Sequence, residues 1–255
     1  DKSDLDFQIN GTVIGEFLDG KKDIASVTPD MLQRIIDIYD EELLYVDHHL
    51  TPFLEKVRQE NPNTLIVLVG DHGEEFLEHG QFGHGHSLYE ELVRVPLVLL
   101  GPGIPPGFRT TQVARQMDVL PTLMELTATS HASLQKVIQG KSLVGTMAGA
   151  TPNRLAPMES GGDQRPPWHW RGLSDGKWKM VERLEVNPAD HVVWKDGIPA
   201  LDAKREAEGM PYFQIYDLEN DPNELRKLAA KNPGKVKEMA TRWEAWEKEL
   251  LAKAK

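Results

Sequence analysis

The spacing of apolar residues divides the chain before any single residue is considered. In TPDMLQRIIDIYDEELLYVDHHLTPFLEKVRQ, residues Leu32, Ile35, Ile36, Tyr39, Leu43, Val46 and Leu50 follow the period of one helix face. Thr28 suits the cap of that helix and Pro29 its first position, where no amide hydrogen is needed. Pro52 is expected to bend or restart the helix. Asn61-Pro62-Asn63 reads as a turn. TLIVLVG and RVPLVLLGPG are unbroken apolar runs of strand length, the pattern of strands covered on both faces. VARQMDVLPTLMELTA returns to helical spacing, with Asp118 as its candidate cap. Helix, strand, strand, helix in that order predicts an α/β domain with a largely parallel, buried sheet.

The pattern then changes. Residues 142–167 are rich in Gly, Pro, Thr and Asn and read as a long connection. GLSDGKWKMVERLE has turn residues followed by alternation, a strand or hairpin, and FQIYDLENDPNE is a short strand ending in an Asp-Pro turn. ELRKLAAKNPGKVKEMATRWEAWEKELLAK is amphipathic helix, with Leu225 and Leu228 before an Asn-Pro-Gly break and Val236, Met239, Trp243 and Trp246 after it. The expected organisation is an α/β domain over residues 1–141, a connection over 142–167, and a small α+β subdomain over 168–255.

Composition narrows the classes. The chain has 255 residues, 40% hydrophobic and 27% charged, as in a folded globular protein. No apolar run reaches the roughly 18 residues of a membrane span. A net charge of −11 argues against a general nucleic-acid binder but leaves room for an anionic small substrate beside a cation. The chain has no cysteine, which excludes disulfides and thiolate metal sites. It begins at Asp1, so a signal peptide could have preceded it, and periplasmic, secreted and other locations stay open. Asn10-Gly11-Thr12 matches a glycosylation acceptor, a triplet common by chance.

Candidate chemistry gathers in GDHGEEFLEHGQFGHGHSLYEE, residues 70–91, which holds four of the nine histidines. Asp71 and His72 directly follow an apolar strand, and sites in α/β sheets gather outside the carboxyl ends of strands. One carboxylate and one imidazole side by side suit a divalent cation, and Gly73 lets the backbone turn beside it. The plain alternative is that Asp71 caps a turn and His72 is a surface residue. His84 and His86 offer groups that can give a proton to a leaving oxygen or bind an anionic ester, because imidazole ionises near neutrality. Their plain alternative is a solvated Gly-His loop. His79 is expected to fix loop structure, and Glu74, Glu75, Glu78, Glu90 and Glu91 to be solvated or capping charges. His48 and His49 fall on the polar side of the first helix. Trp168-His169-Trp170-Arg171 suits either a substrate mouth or hydrophobic contact between the two parts.

The order of these pieces resembles the C-terminal portion of a type I sulfatase, within the alkaline phosphatase superfamily. The matching segments are YDEELLYVDHHL, LIVLVGDHGEEFLEHGQFGHGHSLYEELVRVPLVLLGPG, QMDVLPTLMEL, GKWKMVE and IYDLENDPNELRKLA, from about residue 28 onward. The resemblance implies a three-layer α/β/α sandwich, incomplete here, with a smaller C-terminal sheet-plus-helix subdomain. It implies a sulfuric ester hydrolase acting on a small-molecule or glycan sulfate ester, with one divalent cation, commonly calcium. One carboxylate and one imidazole also fit manganese or zinc. Carried over, Asp71 and His72 are metal ligands. The position of the family's sulfate-contacting lysine falls on His84, with His86 as runner-up because this chain has one extra residue before Tyr89.

The family's nucleophile, a cysteine or serine in (Cys/Ser)-x-Pro-x-Arg, is absent from this sequence, as are the paired aspartates that complete the metal site. The expectation is therefore half of a metal site on part of a longer enzyme, inactive alone, whose partner is the N-terminal half of the same protein. Two rivals remain: a phosphonate or phosphate ester hydrolase or phosphoethanolamine transferase of the same superfamily, and a degenerate, non-catalytic binding domain.

Overall fold

In the computed structural model, the described residues are 16, 21–160, 168–185, 194–195, 198–199 and 213–253. The Asn10-Gly11-Thr12 triplet and the side chains of Trp168 and His169 lie outside them. The chain divides into two compact units. One runs up to His84 and takes in Arg94–Pro102; the other comprises Gly85–Val93 and Gly103 onward.

In the first unit, α1 (Pro29–Glu60) is 32 residues long. The Thr28 hydroxyl accepts a hydrogen bond from the Met31 amide at 3.3 Å, and Pro29 needs no such partner, so the start matches the spacing rule. Pro52 lies inside the helix without ending it. The apolar stripe is only partly used. Ile35 is buried against Phe82, with Ile24, Val27, Met31, Leu32, Ile38, Phe76 and Leu77 around them. Leu43 and Val46, on the same predicted face, are about half exposed, while His48 and His49 are exposed as expected.

After α1 comes β1 (Ile66–Val69), which pairs with β4 (Leu97–Leu100) in register Ile66↔Leu100 to Val69↔Leu97. The pairing is antiparallel, and Val69 and Val98 are more than 40% exposed. This corrects the expectation of a parallel sheet buried on both faces at these two strands. An apolar run records that a strand can be covered, not the direction of its neighbour, and antiparallel strands join otherwise parallel sheets readily. Between them, β2 (Glu75–Phe76) and β3 (Phe82–Gly83) form a short antiparallel hairpin, and α2 (Glu90–Val93) precedes β4.

The second unit contains α3 (Val119–Leu126), α4 (Ala132–Val137) and α5 (Val144–Met147). Asp118 does not cap α3 through its side chain. Its carboxylate is fully buried and takes hydrogen bonds from Arg115, the Lys141 amide and, at 3.3 Å, Arg154. Three donors satisfy a charge that would otherwise be costly to bury. A four-stranded antiparallel sheet follows, from β5 (Ala156–Ser160), β6 (Trp168–Ser174), β7 (Trp178–Glu185) and β10 (Phe213–Asp217), in the order β10-β7-β6-β5. The stretch 142–167 thus contributes α5 and a strand of this sheet. Two short strands, β8 (Trp194–Lys195) and β9 (Ile198–Pro199), pair separately. The last helix, α6 (Pro233–Lys253), begins only after the Asn-Pro-Gly break. Residues 224–228 are not helical, because the Asp221 carboxylate takes the Leu225 and Arg226 amides at 3.2 and 2.8 Å and Glu224 has φ +52°.

Alternation along these strands makes two cores. Leu173, Met180 and Ile215 face Met239 and Trp243 of α6. Val181 and Tyr216 point to the other face and pack with Leu88, flanked by Tyr89, Val93 and Met158. Segment Gly85–Val93, which directly follows His84 in the chain, is therefore a packed layer on this sheet.

Candidate metal centre

Asp71 and His72 come two and three residues after β1, at its carboxyl end, as anticipated. Backbone contacts tie the strand end down: the Gly70 amide donates to the Pro96 carbonyl at 3.1 Å. The Asp71 carboxylate accepts from the His72 amide at 3.0 Å, and its side chain is 91% exposed. That hydrogen bond, with the His72 ring nearby, holds the Asp71 carboxyl below its ordinary value. It is therefore an anionic oxygen donor at neutral pH. Its second oxygen lies 3.8 Å from His72 Nε2, close enough for one ion to touch both. His72 Nδ1 sits 2.9 Å from the Gly73 carbonyl, which orients the ring and leaves Nε2 as the nitrogen that could hold a cation. These two donors fit a divalent cation, as two members of a larger shell.

His84 reaches the same place through the β2–β3 hairpin. Glu75 pairs with Gly83 across it, so the residues just outside, Glu74 and His84, meet. Glu74 Oε2 lies 2.8 Å from His84 Nδ1. The His84 ring stacks on His72, centroids 3.8 Å apart and planes inclined by 29°. His72, Glu74 and His84 together offer three donor atoms within 4.8 Å of one another. His86 is not one of the three; it belongs to the packed layer after the hairpin, where Ser160 Oγ donates to the neighbouring Gly85 carbonyl at 2.8 Å.

The glutamates divide against expectation. Glu75 is fully buried and its carboxylate takes the amides of His79 and Gln81 at 3.1 and 2.8 Å, which shapes the tight loop between β2 and β3. Leu77 and Gly80 there have φ near 71° and 87°, a conformation natural to glycine and unusual for leucine. Glu90 is half-buried and pairs with Lys179 at 3.1 Å, and its amide donates to Glu224 at 2.6 Å. Glu74 is the one grouped with His72 and His84. The i, i+10 spacing of Glu74 and His84 carries no periodic signal; only the hairpin register could have revealed it.

With this geometry in view, the relatives fall into line. Residues 11–129 match the sulfatase family model. Arylsulfatase K of Xenopus laevis is 29% identical over 176 residues, covering 69% of this chain and 30% of that protein. Choline-sulfatase of Rhizobium meliloti (strain 1021) is 28% identical over 212 residues, covering 82% of this chain and 36% of that one. Among solved structures, a protein in complex with its substrate D-glucosamine-2-N,6-O-disulfate superposes with a TM-score of 0.68 at 22% identity, covering 87% of this chain and 42% of that one. A phosphonate monoester hydrolase of Agrobacterium radiobacter reaches 0.65 at 19%, covering 88% and 43%. The fold is thus the α/β fold of the alkaline-phosphatase-like enzymes. Over residues 11–129 the chain is similar to the sulfatase family, and it spans about a third of the length of the curated relatives it matches.

Proposed function

We propose that these residues carry part of the active centre of a sulfuric ester hydrolase: Asp71 and His72 as ligands of one divalent cation, and His84 as the group that meets the leaving oxygen. The observation that carries this reading is the Glu74–His84 contact beside His72, at the end of β1. When bound, the cation would stabilise negative charge on the ester oxygens. Asp71 contributes an ionised oxygen and His72 an oriented Nε2. Glu74 holds the proton on His84 Nδ1, so that Nε2 is the atom that hands a proton to the departing alkoxide. We assign this step to His84 rather than His86. The substrate would be a small-molecule or glycan sulfate ester.

These 255 residues hold no cysteine and no Ser-x-Pro-x-Arg, so on this reading the nucleophile would come from outside them. Calcium takes about six to eight oxygen ligands, so Asp71 and His72 alone would hold it weakly. We expect no turnover of an aryl sulfate by the pure, metal-loaded chain; measurable hydrolysis would overturn the assignment. Residues 1–141 would then form part of the catalytic α/β domain, and 168–255 the subdomain, with β5 of the intervening stretch joined to the latter's sheet. Calcium or manganese titration of wild type against Asp71→Ala tests the metal role: equal binding would favour a degenerate domain.

A phosphonate or phosphate ester reading has its own support, since the phosphonate monoester hydrolase superposes nearly as well as the first solved structure above. A protein combining these residues with a nucleophile-bearing portion separates the two. Preference for an aryl sulfate over the matching phosphonate monoester favours the sulfatase reading, and the reverse preference the rival.

A further inference from the structure

We propose that His72, Glu74 and His84 form a second, mutually exclusive ion site, selective for a zinc-class cation, whose occupancy withdraws His84 from proton transfer. The proposal deepens the metal reading of this segment and rests on it, but uses a different donor set. One donor atom from each residue lies within 4.8 Å of those of the other two. Two imidazole nitrogens and one carboxylate oxygen are a donor set that zinc takes in tetrahedral geometry, with water as the fourth ligand. Calcium, which takes oxygen ligands at longer distance, gains little from two nitrogens.

The preparation of the donors supports this. The Gly73 carbonyl, 2.9 Å from His72 Nδ1, leaves Nε2 to ligate. Glu74 Oε2 and His84 Nδ1, 2.8 Å apart, share one proton that an ion would replace. Two ligands on a tetrahedral zinc at ~2.0 Å each stand about 3.3 Å apart, so the pair opens by only about half an ångström. The rings, stacked with planes 29° apart, must turn so that one ion lies in both planes. Both histidine side chains are 45% exposed, and imidazole rotation about its last torsion is soft. His72 Nε2 is the donor that faces Asp71 at 3.8 Å, so the zinc-class ion and the cation held through Asp71 compete for one nitrogen.

Calorimetric titration of the 255-residue chain with zinc, calcium and manganese, with cobalt as a visible-absorption probe, tests this. Glu74→Gln and His84→Asn should each weaken zinc binding at least about tenfold and abolish the tetrahedral cobalt band. Asp71→Asn should leave zinc binding within about twofold while weakening calcium or manganese. X-ray absorption of the zinc-loaded wild type should show two imidazoles. Unchanged zinc affinity in Glu74→Gln and His84→Asn, a shell with fewer than two imidazoles, or loss confined to a His48/His49 double variant would overturn the proposal. Zinc binding that survives Asp71→Asn, together with no calcium or manganese response to that change, would leave this site standing and sink the Asp71 reading.

Discussion

Two regions of this molecule are rich in charge and use it in opposite ways. On the C-terminal sheet, Lys179 is fully buried and lies 3.0 Å from Glu224, itself fully buried, with Glu90 completing the cluster. Burial raises the Glu224 carboxyl above its ordinary value, and the Lys179 ammonium offsets only part of that rise. Arg171 pairs with Glu182 on the other face and lies over the Trp243 ring. In the β2–β3 hairpin, by contrast, Asp71, His72 and His84 are exposed, and their neighbours orient them without closing them off. Charges that answer one another in a dry interior hold a fold. Charges that are oriented and left open can hold something else.

The largest way to break the first region is Lys179→Met. It leaves two carboxylates against apolar packing without a cation, a change expected to cost about 3–5 kcal/mol. Urea unfolding should show it, and Lys179→Met with Glu224→Gln should recover a good part of the loss. Leu173→Ala, at a site 0% exposed between β6 and α6, should cost about 2–5 kcal/mol by leaving a cavity. Its effect on calcium or manganese binding at Asp71 should be small in the fraction that remains folded.

A pH experiment separates the two regions next. Burial alone would raise the Asp175 carboxyl, but hydrogen bonds from the Trp178 amide and from Arg242 of α6 outweigh it and bring it below its usual 3.8. A carboxyl lowered on folding adds stability above its unfolded pKa and loses it as pH falls through the folded one. Acid unfolding of wild type should therefore be steeper than that of Asp175→Asn below about pH 4, and the curves should run parallel near neutrality. Identical slopes at low pH would remove Asp175 from the list of folding charges. Last and smallest, Asp71→Asn and His84→Asn should shift the unfolding midpoint by no more than about 0.5 kcal/mol. If either destabilised the protein as Lys179→Met does, the contrast between a folding cluster and an open site would fail.

Much of this was legible in the residues. The Thr28-Pro29 start of α1, the hairpin around Asp175-Gly176, the break before α6 and the Asp71-His72 pair after a strand all follow from local chemistry that acts within a few positions. Three features did not. Leu43 and Val46 obey the helical period but stay half exposed, because periodicity says which face is apolar and not whether anything covers it. Glu74, Glu75 and Glu90 look alike in the sequence, yet one joins a histidine, one is buried in a strand with its carboxylate on the amides of a tight loop, and one pairs with a lysine 89 positions away. Asp118, a plausible cap, is the centre of a buried arginine cluster.

By itself, then, the sequence determined the kinds of element, their order, and the presence of a carboxylate and an imidazole at the end of an apolar strand. Those are consequences of torsional preference, capping and spacing, and they need no distant partner. Tertiary structure decided that β1 and β4 run antiparallel, that Glu74 meets His84 across a two-residue ladder, and which glutamates are dry. These depend on hairpin register and on the neighbours that exclude water, and both are set only when segments far apart in the chain come together.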